Sequence, residues 1–189
     1  MIIGNDIVDL KTISAKWQCP RVLEKLFTLE EQSLILSSKD PHQSFWRLWS
    51  MKEAAYKAHL QQFQVRFFNP RRLKCQIFNE TNGIVSIDDK HYYTNSSTTE
   101  DYVHTYAKID KSFSKSIEVY QSDETNHWQQ SFCIRKMLIS SLSRTLGITK
   151  CRLSVQKNIN GIPTIYNREV PLNISFSLSH CGRFLAFTY

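Results

Sequence analysis

Two side chains able to do chemistry stand four residues apart in the segment FWRLWSMKEAAYKAHL, residues 45–60. On a helix, Glu53 and Lys57 are neighbours, because residues four apart lie on one side. The same side carries three further residues, Trp46, Trp49 and Ser50. A carboxylate and an ammonium group that face inward are suited to proton transfer and to neutralising charge on a substrate. The rival interpretation is a solvated Glu–Lys pair on an ordinary amphipathic helix.

A second acid stands in an apolar strand at the start of the chain. Residues 1–10, MIIGNDIVDL, predict a buried strand in which Asp6 and Asp9 lie on opposite faces. A bare carboxylate is costly to bury, so Asp6 needs a cation or hydrogen-bond donors opposite it. An aspartate that caps a turn at the end of a strand is the open alternative.

A histidine stands near the other end of the chain, in a turn between strands predicted at 174–179 and 183–189. Taken alone, His180 is more typical of a structural residue than of a ligand. The neighbouring Cys181 suggests a thiol nucleophile. Adjacent strand residues point to opposite faces, however, and no matching acid is evident, so that hypothesis is weak.

The composition indicates a folded domain with a polyanionic partner. Of the 189 residues 41% are hydrophobic, which is ample for a core, and the net charge is +7. Nucleic acid, a phosphate-rich small molecule, an acidic protein and a membrane surface are the candidate partners. Lys and Arg are interleaved with acids, and no run is longer than Arg71–Arg72. This pattern argues against a nucleic-acid-binding protein, the main non-enzymatic rival.

The cysteines and the N-terminus favour a cytoplasmic protein. Five cysteines are an odd number and lack CxxC spacing, which fits a reducing compartment and neither a disulfide framework nor a zinc site. The first residues lack a basic stretch followed by an apolar one, and no apolar run approaches membrane-spanning length. We therefore expect no membrane partner.

The hydrophobic periodicity predicts helices at 20–39, 41–62 and 127–145. The first has a second start at Thr28, where TLEE forms a capping box. The inner stripe predicted for the third helix is Trp128, Phe132, Arg135, Leu138, Ile139 and Leu142. Four strands, at 71–78, 84–87, 102–109 and 115–121, are predicted as an antiparallel meander with a polar loop at 89–101. Further strands are predicted at 151–156, 162–166, 174–179 and 183–189.

The two halves of the chain follow the same order of elements. Each has a long helix, a strand, an Asn-Gly turn and three further strands, and the turns are Asn82-Gly83 and Asn160-Gly161. We therefore expect an α+β fold of two similar lobes, residues 1–121 and 122–189. Each lobe would be a long helix packed on a small antiparallel sheet, and the two would form a pseudo-dimer with a crevice between them.

Three strings together resemble the 4′-phosphopantetheinyl transferase superfamily: GNDIVD at 4–9, WSMKEAAYK at 49–57 and SLSHCGR at 177–183. The superfamily's mark is a G-x-D strand followed by W/F-x-x-K-E-A-x-x-K, and Asp6 and Glu53 are 47 positions apart. In the two-lobed, surfactin-synthetase-activating type the Ser-His turn comes first, whereas here it comes last. The resemblance therefore implies a circular permutant of that type. The short, trimeric holo-synthase type is the rival arrangement.

The resemblance implies transfer of 4′-phosphopantetheine from coenzyme A to a serine of an acyl or peptidyl carrier protein, with release of adenosine 3′,5′-bisphosphate. It implies Mg²⁺ held by Asp6 and Glu53, since Mg²⁺ takes few carboxylates and bridges substrate phosphates. Val8 stands where the surfactin type usually has a third acid, so a water, or Asp9 from a greater distance, would complete the site. Lys57 would neutralise a phosphate. Lys57, Glu53 or a water would be the base for the serine.

The resemblance also implies contacts with coenzyme A. Ser179 and His180 correspond to the turn that contacts the 3′-phosphate. Arg135, with Lys136 as its weaker neighbour, is placed for the adenylate phosphates. Pro163 would shape the wall against the adenine.

Two positions depart from the superfamily pattern or stand apart from the expected site. Ile162 replaces the lysine of a G-K-P turn, so one phosphate contact must come from elsewhere. Lys52 lies on a different helix face from Lys57 and is interpreted as a salt-bridge partner between lobes.

The expected partners are coenzyme A and an acidic carrier protein, and the expected state is a monomer. An inactive module that binds coenzyme A or a carrier is the alternative class, for which Val8 and Ile162 leave room.

Overall fold

The computed structural model describes residues 2–13, 15–67, 69–110, 117–158 and 162–189. The Asn160-Gly161 turn and the first two residues of the strand predicted at 115–121 lie outside them. The helices are α1 (Pro20–Leu26), α2 (Leu29–Ser37), α3 (Pro41–Phe63) and α4 (His127–Leu146), with short 3₁₀ turns at Ala15–Gln18, Pro70–Arg72 and Lys150–Arg152. The strands are β1 (Ile3–Asp9), β2 (Leu73–Ile77), β3 (Asn82–Ile87), β4 (Lys90–Thr98), β5 (Tyr102–Lys108), β6 (Ile117–Gln121), β7 (Leu153–Lys157), β8 (Pro163–Asn167), β9 (Val170–Pro171), β10 (Ser177–Cys181) and β11 (Phe184–Thr188).

The larger sheet carries α3 on one face. Its five strands are antiparallel, in the order β1-β5-β4-β3-β2. Strand β1 can approach α3 closely because Gly4 has no side chain: a Cβ there would lie 1.9 Å from the carbonyl oxygen of Ala54. Ala54, Ala55 and Ala58 are fully buried on the facing side of α3. This close contact brings Asp6 against the helix that carries Glu53 and Lys57.

The second long helix packs on two smaller sheets. These are three-stranded and antiparallel, in the orders β10-β11-β6 and β7-β8-β9. Ile134, Leu138 and Leu142 of α4 meet Phe176 and Phe187 in a second core. The fold is therefore α+β, with helices packed on antiparallel sheets.

Serine hydroxyls join the two parts of the fold at β1. Because β1 is an edge strand, alternate backbone N–H groups point away from β5 and need other acceptors. The Asn5 amide donates to Ser177 Oγ at 2.9 Å, and the Ile7 amide donates to Ser179 Oγ at 3.1 Å. Two serines of β10 thus take the place of a pairing strand, and they hold β10 beside Asp6.

The prediction of a four-stranded meander is wrong in two respects. Residues 89–101 are mostly strand β4, which lies in the middle of the larger sheet. Its polar side chains suggested a loop, but Thr94 and Ser96 are buried, and Ser96 hydrogen-bonds Thr105 across the sheet at 2.9 Å. Strand β6 pairs with β11 of the second core and not with β5.

The inner face of α4 also differs from the prediction. Leu138 and Leu142 are buried as expected, but the side chains of Trp128 and Phe132 are 81% and 58% exposed. The buried stripe includes two polar residues, Gln130 and Ser141. Both have internal hydrogen-bond partners, which removes the penalty for their burial. Hydrophobicity alone therefore placed the centre of the inner stripe about a quarter of a turn away from that of the buried residues.

The capping box predicted at Thr28 is confirmed. The Thr28 amide donates to Glu31 Oε2 at 2.8 Å and the Glu31 amide to Thr28 Oγ1 at 3.3 Å, which is the predicted capping box. It separates α2 from α1 within the predicted helix at 20–39.

In the part of the chain that the structure describes, no helix is both long and apolar enough to cross a bilayer.

Candidate active site

Asp6, Lys57 and Ser179 form a hydrogen-bonded centre where β1, α3 and β10 meet. Lys57 Nζ lies 2.9 Å from Asp6 Oδ1, 2.9 Å from the carbonyl oxygen of Asn5 and 3.2 Å from Ser179 Oγ. Ser179 Oγ donates to Asp6 Oδ1 at 3.1 Å. The three protons of the ammonium group thus meet three acceptors, one of them a carboxylate. Lys57 is therefore held as a cation.

Glu53 lies one helical turn before Lys57 and faces the same centre. Its carboxylate makes no hydrogen bond with any residue in the described ranges. Burial raises the pKa of Glu53, and the negative charge of Asp6 raises it further, against the opposing effect of Lys57. Two carboxylates therefore repel each other across this centre.

The two acids fit a Mg²⁺ ion. Mg²⁺ binds through one or two carboxylates and keeps waters or substrate phosphates in its other positions. A cation beside Asp6 and Glu53 would remove the repulsion that raises the pKa of Glu53. The described residues hold no group of three or more His, Cys, Asp or Glu arranged for a metal, so substrate oxygens or waters would have to complete this site.

His180 follows Ser179 and is oriented by Gln130 of α4. Its Nδ1 lies 2.9 Å from Gln130 Oε1, while Gln130 Nε2 donates to two backbone carbonyl oxygens at 2.7 and 2.6 Å. Because the amide nitrogen is already donating, the amide oxygen accepts, and this network assigns a proton to His180 Nδ1. Burial lowers the pKa of His180, with further lowering by His127 and Lys57. In the neutral ring Nε2 is the atom left for a ligand.

An apolar cleft opens beside Glu53. Besides Lys52 and Asn69, it is lined by Trp49, Tyr56, Phe67, Pro70 and Leu73, with Glu53 at its wall. It encloses about 40 Å³, far below the several hundred Å³ of a small-molecule site.

A profile of the 4′-phosphopantetheinyl transferase superfamily matches residues 2–107, more than half of the chain. The chain belongs to this superfamily. Within the match lie β1 with Asp6 and α3 with Glu53 and Lys57.

The other comparisons are more distant. The crystal structure of Thermotoga maritima holo-[acyl-carrier-protein] synthase is similar over 90% of this chain and 84% of that one, with 15% identity and a TM-score of 0.44. That likeness is too low to transfer residues or function. No curated protein sequence matches the chain.

Neither Asp9 nor Val8, the two positions near Asp6 that bear on a third metal ligand, has a side chain free for a metal. Asp9, a candidate for completing the metal site from a distance, is fully buried in an ion pair with Arg183, whose Nη2 lies 2.8 Å from Asp9 Oδ1. Burial raises the pKa of Asp9, but hydrogen bonds from Arg183 and from the Lys11 amide outweigh burial and bring the pKa to about 2. Val8, at the position of a third acid, is buried in the core.

Lys52 is not a salt-bridge partner between lobes. It is 1% exposed, and its Nζ lies 2.7 Å from Glu31 Oε2. The same nitrogen donates at 3.0 Å to the carbonyl oxygens of Leu26 and Pro70. All of these partners surround α3 in the first core, so Lys52 ties α1, α2 and the approach to β2 together.

The remaining residues expected to contact coenzyme A lie on the second core. Arg135 is half-buried, and its Nε is buried without a hydrogen-bond partner. Lys136 is exposed, with its Nζ 4.2 Å from the centroid of the Phe132 ring. Pro163 begins β8 half-buried, and Ile162 before it is buried. Among the described residues no hydrogen bond or ion pair links Arg135, Lys136 or Pro163 to His180.

Sequence reasoning did not identify three polar residues around the centre. Gln130 was missed because it lies on the buried face of α4, for which the predicted phase was wrong. Asn5 and His104 form a buried pair behind Asp6, with His104 Nε2 3.4 Å from Asn5 Oδ1. Burial lowers the pKa of His104 to about 4, although Asp6 opposes this effect. The sequence signal that could have identified Asn5 and His104 is a polar residue at an inward position of a mostly apolar strand.

Proposed function

We propose that this protein transfers 4′-phosphopantetheine from coenzyme A to a serine of an acyl or peptidyl carrier protein, with Mg²⁺, and releases adenosine 3′,5′-bisphosphate. The observation that carries this proposal is the meeting of Asp6, Glu53 and Lys57 with Ser179 and His180 at one place. Diphosphate cleavage needs positive charge at the phosphoryl oxygens and at the leaving group. The centre offers a fixed ammonium group and two acids for a metal.

Lys57 and the two acids divide the electrostatic work. Mg²⁺ bound by Asp6 and Glu53 would neutralise the diphosphate oxygens. Lys57, held as a cation by three acceptors, would neutralise a second phosphoryl oxygen and keep Asp6 in place.

We propose Glu53 as the group that accepts the proton of the carrier serine, directly or through a water. Glu53 makes no hydrogen bond with a described residue, so its carboxylate has lone pairs left for the serine proton or for a water. Lys57 is the weaker candidate, because its protons are committed to acceptors that favour the ammonium form.

For coenzyme A we propose the following placement. His180, with Ser179 beside it, meets the 3′-phosphate. Arg135 is the better of the two α4 cations for the adenylate phosphates, since its buried Nε has no partner, and Lys136 is the weaker. Pro163 is proposed at the adenine wall.

The two-lobed pseudo-dimer with permuted lobes is also part of this proposal. Its support is a matching order of neighbouring strands in the sheets. The order β1-β5-β4 in the larger sheet corresponds to β6-β11-β10 in one smaller sheet. The order β4-β3-β2 in the larger sheet corresponds to β9-β8-β7 in the other smaller sheet. Because β6 pairs with β11 of the second core, we propose that the boundary between the lobes lies before β6. We propose a monomer in the cytoplasm. None of its five cysteines is bonded to another.

An inactive module that binds coenzyme A or a carrier is the second candidate. Val8 and Ile162 favour it, because both side chains are buried where related enzymes supply polar groups. It differs from the first candidate in predicting binding without transfer.

Mass spectrometry of an apo acyl carrier protein incubated with this protein, coenzyme A and Mg²⁺ tests the proposal. We expect the mass of one phosphopantetheine to be added, and to be lost in the Asp6→Ala/Glu53→Ala variant. Asp89→Ala, which removes an acid that is 78% exposed, is the matched control and should transfer normally. Binding of coenzyme A with no transfer to several carriers would support the inactive module. No binding of coenzyme A would overturn the transferase, and no binding of either coenzyme A or a carrier would overturn both.

A further inference from the structure

The net positive charge of this protein is confined to the last third of its chain. Residues 127–189 hold eight Lys and Arg against one acid, Glu169, whereas residues 1–126 hold sixteen of each sign. Of the eight, Arg183 pairs with Asp9 and Asp101. The other seven form no ion pair with any described residue. The second core therefore carries an unneutralised positive field.

Helix α4 also presents aromatic side chains on the face opposite its core. Trp128 is 81% exposed and Phe132, one turn later, is 58% exposed. Lys136 follows after another turn and lies over the Phe132 ring. These three residues form the outer ridge of α4, a helix that contains no acid. Exposed aromatic rings beside cations are typical of an interaction surface.

The outer ridge begins next to the proposed phosphate site. The ring centroid of Trp128 lies 6.1 Å from that of His127, which in turn lies 4.5 Å from that of His180. Ser179, the residue before His180, contacts Asp6 and Lys57. A protein seated on the ridge would therefore border the centre at which its serine must react.

We infer that the outer ridge docks the acidic carrier protein of the proposed reaction. Trp128 and Phe132 would pack on an apolar patch of the carrier, and Lys136 would meet its acids. This inference rests on the proposed function, and it gives Lys136 a role towards the carrier in place of the adenylate phosphates. Charge selects an acidic occupant over a second copy of this chain, because a symmetric contact would bring two strongly positive regions together.

The test compares two double variants that remove similar apolar side chains. Trp128→Ser/Phe132→Ser alters the ridge. Leu29→Ser/Leu36→Ser alters α2, where the leucines are 74% and 63% exposed. For the ridge variant we expect KM for an apo acyl carrier protein, and its Kd measured by calorimetry, to rise roughly tenfold. We expect kcat and the Kd of coenzyme A to stay within about twofold, and the α2 variant to match the wild type.

Each other outcome is informative. An unchanged carrier Kd in the ridge variant would overturn the docking inference, even if transfer is normal. So would an equal loss of coenzyme A affinity, which would assign the ridge to the nucleotide. The inference would also be overturned if the wild type is a dimer and the ridge variant is a monomer. It would be overturned as well if phosphatidylglycerol vesicles or a DNA duplex bind the wild type but not the ridge variant, while the carrier Kd is the same for both. A carrier that binds through the ridge without being modified would overturn the proposed function alone.

Discussion

The two long helices of this protein differ in whether their cationic side chains form buried ion pairs. On α3, Lys52 pairs with Glu31 and Lys57 pairs with Asp6, both largely inside the protein. On α4, within the described structure, Arg135, Lys136 and Arg144 lie in no ion pair. The same contrast holds for the regions around the helices, since residues 1–126 are balanced and residues 127–189 carry the whole excess. The first region thus builds a site from paired charges, and the second leaves its charge for an anionic partner.

The largest effect is expected from breaking the buried pair of the first region. Lys52→Ala leaves the buried Glu31 without its cation, which should lower the free energy of unfolding by about 3–5 kcal/mol. Lys74→Ala removes an exposed lysine close by and is the control. Urea denaturation measures both. Equal midpoints for the two variants would show that buried pairing does not distinguish the first region.

Lys57→Ala should lower the rate of transfer more than it lowers the free energy of unfolding. Removing the ammonium group takes away the charge that faces the phosphoryl oxygens, and we expect transfer to fall by about 10²–10³-fold. Lys90→Ala breaks an exposed pair with Asp89 and should leave the rate unchanged. Steady-state transfer to an apo carrier is the measurement, and a Lys57→Ala variant with near wild-type rate would remove this residue from the mechanism.

Arg183→Gln tests the ion pair that joins the two regions. The folded pKa of Asp9, about 2, lies below its unfolded value, so the stability this group contributes is present above about pH 4 and is lost as pH falls towards 2. Because Arg183 is partly exposed, solvent screens the pair, and we expect no more than about 1 kcal/mol from this source. Urea unfolding between pH 7 and 3 should show the wild-type advantage shrinking with acid. A constant difference would mean that Asp9 does not titrate in this range.

The smallest effect concerns the tautomer of His180. With its proton on Nδ1, the neutral ring offers Nε2 only as an acceptor, so contact with a phosphate requires protonation. We expect the Kd of coenzyme A to rise severalfold as pH increases from 6 to 8. Gln130→Glu, which places a carboxylate at Nδ1, should raise the pKa of His180 and move this transition to higher pH. Coenzyme A without its 3′-phosphate is the control, and a similar pH profile for it would refute the contact.

Local patterns predicted much of the first region. The capping box at Thr28, the helix from Pro41 and the placement of Glu53 and Lys57 on one side of that helix depend on residues at most four apart, and local geometry decides such arrangements. The polar strand β4 and the phase of α4 were missed. Thr94 and Gln130 are inward residues whose burial is possible only because distant parts of the fold surround them or supply hydrogen-bond partners.

The sequence by itself determined the chemical groups of the site and the helix and strand that carry them, because spacing along one element places side chains on one face. Only the tertiary structure decided which charges neutralise each other. Lys57 meets Ser179 across 122 residues, Asp9 meets Arg183 across 174, and Lys52 meets Glu31 across 21. No local period encodes such contacts, since they form only when separate elements pack and buried charges must find partners.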